Sequence, residues 1–291
     1  NLTLIIFYEG FPMSKTLSSV AQQEFDSLVH QVYQGNNRLD GCCKLRTGVV
    51  ADIYKFRTMG KGMANQKASQ ADVTPMDIQH NLVNCALENW NAPEYTDIFD
   101  QAEVNFDEKS ELAASIAKAL GRRKDQLLID ALDIGTFAGT VDTNVGTTGS
   151  GMNLEKILAA KEILDDNEVD EEGRIFILNA KSAGSLLATT EVSSADYNSV
   201  RTLVQGQIDT FAGFTFKFIG TRAEGGLSVA ADVYDGFAYH RDAVGMAVGL
   251  DMKTEINYIA EKTSWLTNGI MKAGAAKIDP SGIVKVQATE A

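Results

Sequence analysis

A chain of 291 residues with 44% hydrophobic and 22% charged content is long enough to build one large or two smaller globular units. Its 39 Asp and Glu against 26 Lys and Arg leave a formal charge of −13, the wrong sign for a protein that grips nucleic acid through its phosphates. The three cysteines, Cys42, Cys43 and Cys85, offer no disulfide framework, and no run reaches the roughly 18 apolar residues of a membrane helix.

The chain opens with NLTLIIFYEGFP, apolar from Leu2 to Tyr8, with no basic stretch before it and no cleavage-type small residues after it. The first methionine is Met13, and a purine-rich codon pair can encode Glu9-Gly10 ahead of it. Translation is therefore expected to start at Met13, with residues 1–12 read from upstream sequence. Residues 15–33 carry Val20, Phe25, Leu28, Val29 and Val32 at spacings that predict a weakly amphipathic helix. A turn-rich GNNRLDG follows, and residues 49–58 (VVADIYKFRT) predict a strand. Residues 59–75 (MGKGMANQKASQADVTP) are polar and nearly free of bulky apolar side chains, and residues 81–90 (NLVNCALENW) predict the returning strand. Two strands around so long a polar tip form a hairpin that cannot bury its own surface, so it is expected to lie against something else.

From Asp107 the pattern changes. Asp107 is a good N-cap, Glu108 and Glu111 favour the positive end of a helix, and Leu112, Ile116, Leu120, Leu127 and Ala131 recur at helical spacing. The predicted helix runs to about Leu132, roughly 39 Å at 1.5 Å per residue, interrupted only by Gly121. A loose Gly/Thr-rich connection over residues 135–151 leads to a helix at 154–164, a buried-type strand RIFILN at 174–179 and a helix at 182–188. FAGFTFKFIG (211–220) predicts a strand bent at Gly213, and further strands follow over 234–260 and in the C-terminal GIVKVQ.

The chemical motifs are weak. His30, His80 and His240 are scattered without ligand spacing, GTTGSG lacks the Lys-Ser/Thr ending of a phosphate loop, and DDNEVDEEG (165–173) breaks the calcium-loop pattern. There is no Gly-x-Ser-x-Gly elbow, and Cys85 lies in a predicted strand without a base. The reading expects no catalytic, cofactor-binding or metal residues and no cofactor. What stands out is Arg122-Arg123-Lys124 inside an apolar helix of an acidic protein. A solvated face with Asp125 as local partner is the plain reading. Arg123, however, continues the apolar stripe, so its stem is expected to be covered and its guanidinium to need an acid from another element or another copy, while Arg122 and Lys124 are placed on more exposed faces.

Taken in order, five segments resemble the major capsid proteins of tailed bacteriophages (Caudoviricetes) with the Hong Kong 97-like fold. They are TPMDIQH (74–80), FDEKSELAASIAKALGRRKDQLLIDAL (106–132), GRIFILNAKSAGSLL (173–187), LVQGQIDTFAGFTFKFIG (203–220) and AYHRDAVGMAVGLD (238–251). The resemblance implies an α+β capsid fold: an N-terminal arm at 13–48, an extended hairpin or E-loop at 49–90, a P-domain of 91–138 and 252–291 carrying the long helix, and an A-domain at 139–251. It implies a structural subunit that self-assembles as hexamers and pentamers of an icosahedral virion shell, built in the host bacterial cytoplasm. That shell would enclose double-stranded DNA without binding it specifically, with no membrane involved. About 30 residues precede the hairpin, which implies a separate scaffolding protein, beside a portal. Arg57, Lys61, Lys67, Arg122, Arg123 and Lys124 are the expected inter-subunit contacts. The alternatives are an encapsulin-type compartment of the same fold and, further off, a soluble α+β enzyme.

Overall fold

The computed structural model describes residues 34–103, 107–146, 150–188, 210–230 and 232–289. The start of the chain, the helix expected at 15–33 and the centre of the glycine-rich connection lie outside them. In chain order the elements are β1 (Lys44–Thr47), β2 (Ile53–Met59), β3 (His80–Ala86), β4 (Glu88–Asp97), α1 (Ile98–Glu103), α2 (Glu108–Asp133), β5 (Gly139–Val141), α3 (Leu154–Asp166), β6 (Arg174–Asn179) and α4 (Ala180–Ala188). They continue with β7 (Thr210–Phe211), β8 (Phe214–Ile219), β9 (Val229–Ala230), β10 (Val233–His240), β11 (Val244–Ile259), β12 (Ser264–Lys277) and β13 (Ile283–Thr289).

The strands form two larger sheets and one isolated pair. A four-stranded sheet has the order β1-β11-β12-β4, a second sheet runs β5-β13-β10-β6-β8-β7 with β9 beside β10, and among the described residues β2 pairs only with β3. Strand β6, the RIFILN run, is buried along its whole length because both faces of its sheet are covered. Ile175 and Ile177 join α2's Leu128, Leu132 and Ile129 and the Phe237 and Tyr239 of β10 in one core cluster. Phe176 and Leu178 point the other way and meet Ile157, Ala160 and Leu164 of α3 together with Phe214 and Phe216 of β8. Period-two alternation along one short strand thus divides the two cores.

Helix α2 crosses the four-stranded sheet at Gly269 of β12, where an added Cβ would come within 2.3 Å of the Ile116 side chain. Asp107 occupies the N-cap position as expected but makes no side-chain capping bond, whereas Asn153 caps α3 by accepting from the Lys156 N–H at 2.9 Å. Burial also sets the thiol chemistry: all three cysteines are free and buried, and desolvation pushes the Cys43 thiol up to about 12.

Four expectations change. The second hairpin strand divides at Leu87: β3 completes the hairpin, while β4, with Trp90, pairs with β12 in the four-stranded sheet. Gly213 is a reversal and not a bend: Ala212 (φ 52°) and Gly213 (φ 84°) form the two-residue turn of a β7–β8 hairpin. The C-terminal strand β13 pairs with β10 and β5, away from the sheet that carries β11 and β12. Finally, β12 was not legible as a strand, although it is 14 residues long and central to its sheet.

Candidate functional site

The isolated hairpin β2–β3 stands on the four-stranded sheet by its base alone. Phe56 and Cys85 are buried there with Leu87 and Ala247. The fit depends on glycines: a Cβ on Gly245 would come within 2.4 Å of the Phe56 ring, and one on Gly274 within 1.9 Å of the Ala86 carbonyl oxygen. Lys272 of β12 reaches Asp52 at 2.5 Å and holds that carboxyl below the usual carboxylate range. Above the base the hairpin leaves the core. Residues 60–77 are all exposed, and Met59, Met63, Val73, Met76 and Leu82 lie uncovered. Arg57 and Lys67 are exposed with no partner among the described residues. Lys61 Nζ sits 3.2 Å from Glu168 Oε2, both side chains about 80% open to solvent.

The basic triplet on α2 is built differently. All three side chains find partners within the chain, and none of them is Asp125. The Arg122 guanidinium donates to Gln34 Oε1 at 3.0 Å and to the Gly35 carbonyl at 3.2 Å. Arg123 pairs with Glu224 at 2.8 Å while its guanidinium lies 4.3 Å above the Trp90 ring, so its acid comes from another element, as its place on the stripe implied. Lys124 reaches Asp40 at 2.9 Å. Its side chain is 12% exposed against 33% for Arg123, which corrects the placing of Lys124 on the more open face.

Asp125 is the residue that sequence reasoning undervalued. It is fully buried, and its carboxylate accepts from the Arg38 N–H at 2.9 Å, the Leu39 N–H at 3.1 Å and Arg222 Nη2 at 2.8 Å. Desolvation pushes its carboxyl above the ordinary value, opposed by those two N–H groups and by the arginine. Its neighbours in sequence gave no sign of this, because both the chain at 34–40 and the loop at 222–226 arrive from far away. Position offered one clue: Asp125 lies on the same helix face as Gly121, and that glycine exists for contact, since a Cβ there would stand 3.1 Å from Asn36 Oδ1.

A model of the phage capsid protein family matches residues 17–290. The chain belongs to that family. Among curated proteins none matches it. Among solved structures this capsid chain is similar to the capsid of Ralstonia phage GP4, with TM-score 0.75 at 10% identity, covering 99% of each chain. It is also similar to the head structure of Helicobacter pylori bacteriophage KHP40, with TM-score 0.73 at 11% identity and full coverage of both chains. A third similarity is to a chain of Mycobacterium phage Che8, with TM-score 0.70 at 16% identity, covering 91% of this chain and 96% of that one. Likenesses at such low identity establish the fold, which is the Hong Kong 97-like α+β capsid fold. The family match supplies the role: a structural subunit of a virion shell that assembles with copies of itself.

Proposed function

We propose that the chain is the major capsid protein of a tailed bacteriophage, with β2–β3 as the E-loop that lies across a neighbouring subunit. The observation that carries this reading is the hairpin, whose buried apolar anchors are Phe56 and Cys85 at its base, while Met59, Met63, Val73, Met76 and Leu82 stay open to solvent. Exposed apolar side chains on a two-stranded ribbon call for a covering surface, and in a shell the next copy supplies it. Arg57, Lys61 and Lys67 lie on or just beyond this ribbon and are the proposed inter-subunit contacts. Arg122, Arg123 and Lys124, whose charged ends are engaged inside the chain, serve the subunit's own structure.

The P-domain is proposed as α2 with the sheet β1-β11-β12-β4, and the A-domain as the larger sheet with α3 and α4, to which β13 returns. Hexamers and pentamers, a portal, a separate scaffolding protein and assembly in the bacterial cytoplasm complete the proposal, supported by membership of the capsid family. The enclosed double-stranded DNA is held without specific contacts, in keeping with the charge of −13. The compartment-shell alternative has no observation in its favour.

Negative-stain microscopy of the purified protein, alone and co-expressed with the neighbouring genes of its genome, tests the reading. Closed shells are expected. A protein that stays monomeric in every combination would overturn it.

A further inference from the structure

Seven residues ahead of β1, positions 34–40, run along the middle of α2 without joining any helix or strand. Their hold is polar from end to end. Gln34 Nε2 donates to Ser115 Oγ at 3.2 Å, and Arg122 donates to Gln34 and Gly35. Arg222 Nη1 reaches the Asn36 carbonyl at 3.4 Å, Asp125 takes the N–H groups of Arg38 and Leu39, and Lys124 meets Asp40. Leu39 is the only buried residue of the seven. A segment with one apolar anchor and many polar bonds is a low-stability unit of its fold, able to open while the core stays closed.

The bonds are also concentrated. One carboxylate receives two consecutive backbone N–H groups and the guanidinium of Arg222, and that guanidinium in turn is fixed by the Gly225 carbonyl at 2.8 Å. Lifting the strap takes both of these consecutive N–H groups from the carboxylate together and leaves it to Arg222, so a half-lifted strap would hold a buried charge short of donors. Seating is therefore cooperative. The glycines at the contact exclude other geometries: a Cβ on Gly35 would stand 1.9 Å from Arg222 Nη1, and one on Gly225 would stand 2.6 Å from the Arg122 carbonyl oxygen.

We infer that residues 34–40 are a strap that seats and unseats as one unit on α2, with Asp125 and Arg222 as the clasp. Seating fixes the course of residues 34–40 along α2, and unseating frees them without unfolding either core. The inference stands on contacts within one chain and is independent of the shell reading.

The test is hydrogen exchange with mass spectrometry on the full chain, resolved to the amides of Arg38 and Leu39. Asp125→Asn removes the charge and presents an NH2 group to Arg222. Gly35→Val attacks the clasp from the strap side and leaves α2 untouched. Each variant is expected to speed exchange at residues 38 and 39 by about tenfold or more, the scale of a lost charge-assisted hydrogen bond. The amides of β6 and β10 are expected to keep their protection. The double variant is expected to exchange no faster than the faster single one, because both act on the same event. Acceleration at 38–39 that appears only together with loss of protection in β6 and β10 would overturn the strap and make Asp125 a purely structural group. Unchanged exchange at 38–39 in Gly35→Val would overturn it as well.

Discussion

Helix α2 and the hairpin β2–β3 solve the problem of an extended element in opposite ways. The helix has neighbours on nearly every side: Leu128 and Leu132 are fully buried, its basic triplet is paired within the chain, and even its one buried acid has three donors. The hairpin is bonded along its own ladder from Ile53↔Ala86 to Met59↔His80 and covered only at its base. A charged cluster thus turned out to be internal architecture, and the plain-looking ribbon is the surface left open. Self-sufficiency of the helix and incompleteness of the hairpin predict that damage to the first is felt in the monomer, and damage to the second in the assembly.

The largest effect should come from the helix core. Leu128→Ala removes a fully buried side chain at the junction of α2 with the larger sheet, and should cost about 2–5 kcal/mol of subunit stability. Denaturant unfolding of the free subunit measures it directly. A cost near zero would mean that α2 is held by contacts outside the subunit, and the contrast between the two regions would collapse.

How far sequence alone reached follows the same division. The helix was legible almost to the residue, because its cap, its acidic first turn and its apolar spacing agreed with one another over 26 residues. RIFILN was equally plain, since a strand buried on both faces is a continuous apolar run. Strand β12 was hidden: Gly269 and Gly274 break its apolar pattern, and both serve close approach, to Ile116 and to the Ala86 carbonyl. The site was half legible. Charge spacing picked out Arg122, Arg123 and Lys124, but their partners Gln34, Glu224 and Asp40 lie about 84 to 101 positions away, a separation no local pattern encodes. Asp125 was assigned to those same cations because it sits beside them in sequence. On a helix, adjacent residues face different directions.

A second, smaller effect sharpens the description of the triplet. Arg123 joins α2 to β4 through Trp90 and to the loop at 222–226 through Glu224. With its side chain one-third exposed, a screened ion pair and a cation–π contact together suggest a loss of about 1–2 kcal/mol in Arg123→Ala. Arg123→Lys should recover part of it, since an ammonium keeps the charge and loses the planar stacking. Parallel unfolding curves for alanine variants at 122, 123 and 124 separate the three. Costs near zero for all three would return the triplet to a solvated face.

The hairpin predicts the reverse profile. Leu82 is 58% exposed on β3, so Leu82→Asp should shift subunit stability by no more than about 0.5 kcal/mol while preventing shell formation. Sedimentation of assembly reactions, set beside unfolding of the same preparation, gives both readings. In the free subunit trypsin should cut at Lys61 and Lys67 well before any site in α2, and shells should be protected at both. A Leu82→Asp protein that still closes into shells would remove the ribbon from the interface.

The smallest effect lies at the hairpin's base, where the two regions meet. Asp52 and Lys272 pair at 2.5 Å on an open surface, with Asp52 87% exposed, so the bond is screened and weak. Its sign with pH is nevertheless fixed. Lys272 lowers the Asp52 carboxyl in the folded state, first by the hydrogen bond and then by its charge. A depressed carboxylate contributes its stability above the ordinary value and loses it as pH falls through the lowered one. Asp52→Asn keeps the backbone bond from the Leu87 N–H to the carbonyl of residue 52 at 2.8 Å, so the variant removes the charge and little else. Wild type should hold the hairpin base more firmly than Asp52→Asn at neutral pH, and the two should converge in acid once Asp52 is protonated. Tryptic release of the hairpin serves at neutral pH and pepsin in acid, each run on both proteins. A difference that persists or grows in acid would show that the ion pair contributes nothing to fastening the base.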